Sequence, residues 1–297
     1  MTILGRKLRD LMIAPKTRGQ KALRILAIVL LAVLLLTLVF RPRGRHLYLV
    51  YGVDQYGSLQ ESGRSDAMML VQLDHTRGTL TMVSMARDMI VEGERGQVKL
   101  NTIIRSDQEN GPERLLDAIE RNFGVRPEGW FRINFSSLVS MVDALGGVTV
   151  PLTAEEVSYI NRTAGHWEGY PLTEGKSRLN GAQALTYVRC RHLDNDLGRG
   201  QRQSTFAQAA ASELRHLTPK KVWNLFQTMK HAWVSSLSAT EQAGLVWQAL
   251  WSRYARPVRL ALPFEGTWRY GNSKNGTPGL LLDLEENRRL LLEALHR

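Results

Sequence analysis

The chain has 297 residues, 43% hydrophobic and 23% charged, an ordinary globular composition that excludes disordered, collagen-like and repetitive classes. Its net charge of +11 is concentrated: residues 1–45 hold ten Lys or Arg against Asp10 alone and carry +9, which leaves +2 for residues 46–297. So small an excess argues against nucleic acid as a partner, because sequence-independent DNA affinity needs many cations against phosphates. The single cysteine, Cys190, excludes both a disulfide framework and a Cys-rich zinc site.

From Ile25 to Phe40 sixteen consecutive residues contain nothing more polar than Thr37. As a helix the run covers roughly 24 Å, enough to cross a bilayer if the flanking arginines snorkel. A signal peptide is the alternative, but Arg41-Pro42-Arg43-Gly44-Arg45 stands where small residues should mark a cleavage site. Seven Lys or Arg precede the run and three follow it, so the sequence predicts a single-pass membrane protein with a cytoplasmic N-terminus and an outer domain. The predicted organisation is a basic tail over 1–24 touching anionic lipid, a transmembrane helix over 25–40, a short linker over 41–46, a main domain over 47–217 and a helical extension over 218–297 packed on it. That linker keeps the domain near the membrane surface, which suits a lipid-anchored substrate.

Leu47 to Val53 reads as a buried strand. Ala67 to Leu73 and Thr79 to Met85 read as a hairpin closed by Asp74-His75-Thr76-Arg77-Gly78. Pro112 to Phe123 has Pro at a helix start and Gly124 at its exit. Phe131 to Asn134 suits a strand, Ser136 to Leu145 a helix capped by Ser136, and Val148 to Val150 another strand. Pro151 to Leu179 reads as a loop. Gln203–Leu217, Lys220–Ala232 and Ala239–Tyr254 are helical by periodicity, Val258–Leu262 is a strand and Leu280–His296 a terminal helix. The mixture predicts an α+β domain, layered α-β-α around a mixed sheet.

Three segments carry chemistry. Tyr187 to Gln203 is rich in arginine; if Tyr187 to Arg191 is extended, Arg189 and Arg191 share one face while Val188 and Cys190 share the other. Two guanidinium forks on one face make a phosphate clamp; the plain alternative is a solvated loop of local Arg-Asp pairs. Asp54 ends the first strand and Asp66 opens the second, within Gly63-Arg64-Ser65-Asp66, an arrangement of hard oxygen ligands that suits Mg²⁺; the plain alternative is a turn. Ser84-Met85-Ala86-Arg87-Asp88 adds a cation to the same rim or a strand-end salt bridge, and Lys99-Leu100-Asn101 is a weaker signal. No Gly-x-Ser-x-Gly, His-Glu-x-x-His or Walker A pattern occurs. His166 and His192 read as surface, and Cys190 as a small core residue.

Taken in order, Tyr51-Gly52-Val53-Asp54, Gly63 to Asp66, Ser84 to Asp88, Lys99-Leu100-Asn101, Asp143 to Val148, Leu179 to Leu185 and Tyr187 to Gln203 resemble the LytR-CpsA-Psr family of membrane-anchored envelope proteins. The resemblance spans roughly residues 47–217. It implies an α-β-α domain with an apolar pocket for a polyprenyl chain. It also implies Mg²⁺-dependent transfer of a glycopolymer, such as teichoic acid or capsular polysaccharide, from a polyprenyl-pyrophosphate carrier to peptidoglycan. By matching motif, Arg64, Arg87, Arg189, Arg191, Arg199, Arg202 and Gln203 correspond to phosphate-contacting positions, and Asp54 and Asp66 to the metal side. Arg87, Arg189, Arg191 and Asp88 are the catalytic candidates; Asp88, Asp194 and Asp196 are candidate bases, and a loose transition state needs none. The sequence departs from the family pattern at Ala86, where proline is common, at Gln55, where arginine is frequent, and at Asn110-Gly111-Pro112. Hydrolysis of the same pyrophosphate, a non-catalytic lipid- or glycan-binding scaffold, and a transcriptional regulator are the competing functions. The small charge of the outer domain and its location count against the last.

Overall fold

The computed structural model describes residues 43–53, 65–104, 110–163, 172–190, 196–215, 217–218, 220, 223, 225–227, 232–251 and 257–296. In chain order these form β1 (Arg45–Val53), β2 (Ser65–Asp74), β3 (Thr79–Met85), β4 (Met89–Gly93), β5 (Gly96–Lys99), a 3₁₀ turn at Leu100–Thr102, α1 (Gly111–Phe123), β6 (Gly129–Ile133), α2 (Phe135–Ala144), β7 (Val148–Leu152), α3 (Ala154–Thr163), β8 (Gly175–Leu179), α4 (Gly181–Arg189), α5 (Asp196–Arg215), β9 (Val234–Ser235), α6 (Ala239–Trp251), β10 (Pro257–Leu262), β11 (Trp268–Asn272), β12 (Pro278–Leu282) and α7 (Leu284–His296). The apolar run at 25–40 lies outside the described residues; among those described, no helix is long and apolar enough to cross a membrane.

Alternation along β1 puts Leu49, Tyr51 and Val53 on one face, all buried. Antiparallel pairing extends the stripe, aligning Leu49 with Leu70 and Val83, and Tyr51 with Met68 and Met85. β6 adds parallel to β1 and β10 parallel to β3, giving the order β10-β3-β2-β1-β6-β9. One face packs on Leu115, Leu116, Ile119 and Phe123 of α1 and on Leu291 and Leu295 of α7. On the other, Leu80 and Met82 meet Ala207 and Ala211 of α5. Helices on both faces of a mixed sheet give the expected α+β architecture. Residues 218–297, expected as a helical extension, supply β10 to the main sheet and α7 to the main core.

At the amino edge of β1, Asp74 is buried and accepts from Arg45 Nε and from the backbone N–H groups of Thr76 and Arg77, each at 2.9 Å. Burial alone pushes its carboxyl up, but the Arg77 amide, the Arg45 guanidinium and the Thr76 amide together hold it below the ordinary aspartate range.

A satellite core forms where the sequence suggests a loop. Thr153 Oγ1 accepts from the Glu156 N–H while Glu156 Oε2 accepts from the Thr153 N–H, a reciprocal cap that starts α3. β8 pairs antiparallel with β7, from Val148 opposite Leu179 to Leu152 opposite Gly175. Tyr187 to Arg189 is the last turn of α4 rather than a strand: Asn180 and Gln183 cap its start reciprocally, and the apolar positions then follow helical spacing. Val142, Val150, Ile160, Leu179, Ala184 and Phe206 fill this core. Two further corrections concern helix ends. Asn134, not Ser136, caps α2 by accepting from the Ser137 N–H at 2.8 Å. Leu280 belongs to β12, and α7 starts after Asp283, whose Oδ1 accepts from the Glu286 N–H. The second sheet, β11-β12-β4-β5, is absent from the sequence reading. Of the helix expected at Lys220–Ala232, positions 220, 223 and 225–227 are helical and the rest lie outside the described residues apart from Ala232.

α4 crosses α2 at backbone distance. A Cβ on Gly181 would sit 2.4 Å from the Val139 carbonyl oxygen. Gly181→Ala is therefore expected to destabilise by about 1–3 kcal/mol, read as a lower urea midpoint at unchanged slope. Asp74→Ala is expected to cost about 2–3 kcal/mol at pH 7. Because the Asp74 pKa is depressed by folding, that stabilisation is complete above the ordinary aspartate pKa and is lost as pH falls through the native value. The gap between variant and wild type in urea melts should therefore close below about pH 4.

Candidate active site

β1, β3, β6 and β10 run parallel, so their carboxyl ends share one edge of the main sheet, where open α/β sheets place ligands. Asp54 follows β1, Ser65 opens β2, Arg87 follows β3 and Asn134 follows β6. The β1–β2 ladder is irregular there: Gly52 pairs with Ala67 but Val53 pairs with Ser65, leaving Asp66 as the extra residue of a bulge. Bulges of this kind bend a strand end and re-aim what it carries.

α5 delivers its amino end to the same edge. A Cβ on Gly200 would lie 3.9 Å from Ser84 Oγ, Thr205 accepts from Arg259 of β10 at 3.1 Å, and Ala207 and Ala211 pack on Leu80 and Met82. The helix thus runs antiparallel to β3, with the positive end of its dipole at the strand ends. Arg199 and Arg202 lie in its first two turns and both are buried.

The arginines differ in how they are held. Arg189, the last residue of α4, is exposed, with its guanidinium carbon 4.1 Å from the centre of the Phe135 ring at the start of α2. Arg202 donates from Nε to Glu156 Oε1 at 2.8 Å and from Nη1 to the Cys190 carbonyl at 3.1 Å, tying α5 to α3 and to the end of α4. Gln203 Nε2 donates to the Val188 carbonyl at 3.4 Å. Arg87 Nε lies 3.5 Å from Asp88 Oδ2, and Lys99 Nζ donates to Asp88 Oδ1 at 3.0 Å. Cys190 is buried, as expected of a core residue.

The structure therefore places Arg87, Arg189 and Arg199, with Arg202 and Gln203 behind them, around one edge. Arg189 reaches it from a helix end stacked on an aromatic ring, not from the extended pair with Arg191 that the sequence suggested. Asp54, Arg64 and Arg191 lie outside the described residues, as do the His166 and His192 positions, and the Asp66 side chain is not described. Among the described residues no group of three or more His, Cys, Asp or Glu is placed to hold a metal.

Other polar groups near this edge escaped the sequence reading. The Tyr51 hydroxyl and Arg132 Nε, on adjacent strands, and Asn101 Oδ1 are buried with no hydrogen-bond partner among the described residues. Burial pushes the Tyr51 hydroxyl well above its usual range, with the Arg132 guanidinium opposing, so it is neutral at physiological pH. Tyr187 is likewise pushed up to about 12, by burial first and the Glu156 carboxylate second. Glu156 could have been found from Thr153-x-x-Glu156; nothing in the sequence marks Phe135 as the platform for Arg189.

A mixed sheet with helices on both faces and arginines gathered at its strand ends around a helix amino terminus defines a layered α+β protein with a cationic edge. The LytR_cpsA_psr family model matches residues 41–240, and the chain belongs to the LytR-CpsA-Psr family. It is 33% identical over 171 residues to the polyisoprenyl-teichoic acid–peptidoglycan teichoic acid transferase TagU of Oceanobacillus iheyensis, covering 56% of this chain and 50% of that protein. It is 31% identical over 173 residues to the regulatory protein MsrR of Staphylococcus aureus, covering 58% and 50%. The chain thus spans about half the length of these curated relatives. The structure of TagT bound to LIIa-WTA superposes with a TM-score of 0.69 at 24% identity over 84% of this chain and 89% of that one. B. subtilis TagV superposes with a TM-score of 0.66 at 20% identity over 86% and 98%. At these identities the likeness is one of fold.

The Arg202–Glu156 pair is buried, with side chains 8% and 12% exposed. Glu156→Ala is expected to cost about 3–5 kcal/mol, because it takes a buried carboxylate partner away from the buried Arg202 guanidinium. Glu156→Ala combined with Arg202→Met should recover much of that loss, read by thermal unfolding of the single and double variants.

Proposed function

We propose that this protein moves a glycopolymer phosphate from a polyprenyl-pyrophosphate carrier to a hydroxyl of peptidoglycan. The observation that carries the reading is the convergence of Arg87, Arg189 and Arg199 on the carboxyl edge of the parallel strands in a chain of this family. Support also comes from relatives named as teichoic acid transferases.

The acceptor oxygen attacks the glycopolymer-side phosphorus. The bond from that phosphorus to the bridging oxygen breaks, polyprenyl phosphate departs, and the hydroxyl proton passes to solvent or the leaving phosphate. Such transfer depends on positioning and on neutralising phosphate oxygens more than on covalent help. Arg189 is exposed and stiffened by the Phe135 ring, so it meets substrate with little orientation left to lose. Arg199, at the dipole-positive end of α5, faces the same anion. Arg202 and Gln203 hold the backbone that precedes α5 by binding the Cys190 and Val188 carbonyls.

Asp54 and Asp66 adjoin the paired residues Val53 and Ser65, and as hard oxygen donors they fit Mg²⁺ bound with substrate phosphate. The ion supplies charge neutralisation on the pyrophosphate. The proposal includes a membrane anchor at 25–40 with the domain on the outer side, next to a lipid carrier.

The test supplies full-length protein with labelled polyprenyl-pyrophosphate glycan, peptidoglycan fragments and Mg²⁺. Label should move to peptidoglycan, and Arg189→Ala should depress transfer about 10²–10³-fold with an unchanged thermal midpoint. Chelator should depress it as well. Label released to water would identify a hydrolase, lipid bound but unchanged would identify a scaffold, and wild-type turnover in Arg189→Ala would remove Arg189 from the site.

A further inference from the structure

Lys99-Leu100-Asn101 has no role in the reaction described so far, yet it wraps around the turn that carries Arg87. Lys99, the last residue of β5, binds Asp88 Oδ1 through Nζ at 3.0 Å, while the second carboxylate oxygen lies 3.5 Å from Arg87 Nε. Two residues on, the Asn101 N–H donates to the Arg87 carbonyl at 3.2 Å. Leu100 between them is fully buried in the main core and anchors the segment from behind.

The same turn is held from two other sides. The Ala86 N–H donates to the Leu262 carbonyl and the Leu280 N–H to the Asp88 carbonyl, both at 2.9 Å. The first of these bonds uses a donor that proline, common at this position in the family, does not have. The backbone of Arg87 is thereby fixed to β10, β12 and the 3₁₀ turn, and what is left to set is the direction of its guanidinium. The side chains of Arg87, Asp88 and Lys99 are 19%, 25% and 24% exposed, so the charge chain is screened less than a surface pair.

We infer that Lys99 is a positioning residue for the reaction: it fixes the Asp88 carboxylate, which in turn aims the Arg87 guanidinium at the diphosphate. The inference rests on the transfer reading for its substrate. Asp88 thus stands between two cations, with one carboxylate oxygen toward each.

The experiment measures kcat and KM for transfer, and the Kd for farnesyl diphosphate, with full-length wild type, Lys99→Met, Lys99→Gln, Lys99→Arg, Arg87→Ala and Lys99→Met in the Arg87→Ala background. Thermal midpoints identify any variant that fails to fold; Lys99→Gln replaces Lys99→Met if that one does. Lys99→Met is expected to lower kcat and weaken diphosphate binding about tenfold or more, with Lys99→Arg restoring most of the loss. In the Arg87→Ala background it should add nothing, because its effect travels through Arg87. An equal loss in both backgrounds, or an Lys99→Arg variant no better than Lys99→Met, overturns the inference. Wild type that binds the diphosphate but transfers nothing removes the transfer reading, and the coupling in Kd then decides the role of Lys99. Wild type that binds no diphosphate overturns both.

Discussion

Parallel pairing of β1 with β6 and of β3 with β10 is the constraint from which the site follows. Each strand of a parallel pair needs a crossover to return the chain, and here the returns are the segment with α1 between β1 and β6 and the long path through α5 and α6 to β10. Strands so aligned deliver their carboxyl ends together, and the loops and helix starts that follow them are forced into one place. Residues far apart in the chain, such as Arg87, Arg189 and Arg199, become neighbours of one edge through backbone hydrogen bonding that has nothing to do with their charge.

At that edge the fold treats chemically identical groups differently. Arg202 is sealed against Glu156 and a backbone carbonyl, so its charge stabilises local structure. Arg189 stands in solvent on an aromatic plate that restricts its motion without neutralising it. Arg87 lies between these extremes, beside a carboxylate that is itself shared with Lys99. A guanidinium bound to a carboxylate has some of its attraction for phosphate already satisfied, whereas stacking on a ring uses the face of the guanidinium and not its N–H edge. Arginine content therefore measures the strength of an anion site poorly; the partner of each arginine decides it.

Much of the central sheet was legible because its elements are bounded by strong signals: Thr79–Met85 is an apolar-rich run that starts straight after the turn at Gly78, and Gly124, with φ 73°, ends α1 where a left-handed residue is needed. The arginine-rich segment was found by composition, but its conformation was misread. Tyr187 to Arg191 satisfies a two-residue alternation and a helical repeat almost equally, and the capping pair Asn180 and Gln183 that resolves the ambiguity lies one helix length upstream. The second sheet was illegible for another reason. Its strands are short, and β4 pairs with β12, some 190 positions away, so no local pattern announces the partner that makes either of them a strand. Glu156 and Phe135 share this difficulty, since their importance comes from what folds against them.

β1 runs the full depth of the main sheet, from Arg45 at the amino edge to Val53 at the site, about 30 Å at 3.3 Å per residue. It has hydrogen-bonded neighbours on both sides along most of that length. A pull on the chain before residue 43, opposed by a load at the carboxyl edge of the sheet, would run along β1 between β2 and β6. The ladder bonds lie across that direction and resist in shear, all together, where a hairpin pulled from its open end would lose its bonds singly, in sequence. The strand that leads to the site is thus also arranged to resist a lengthwise pull in shear.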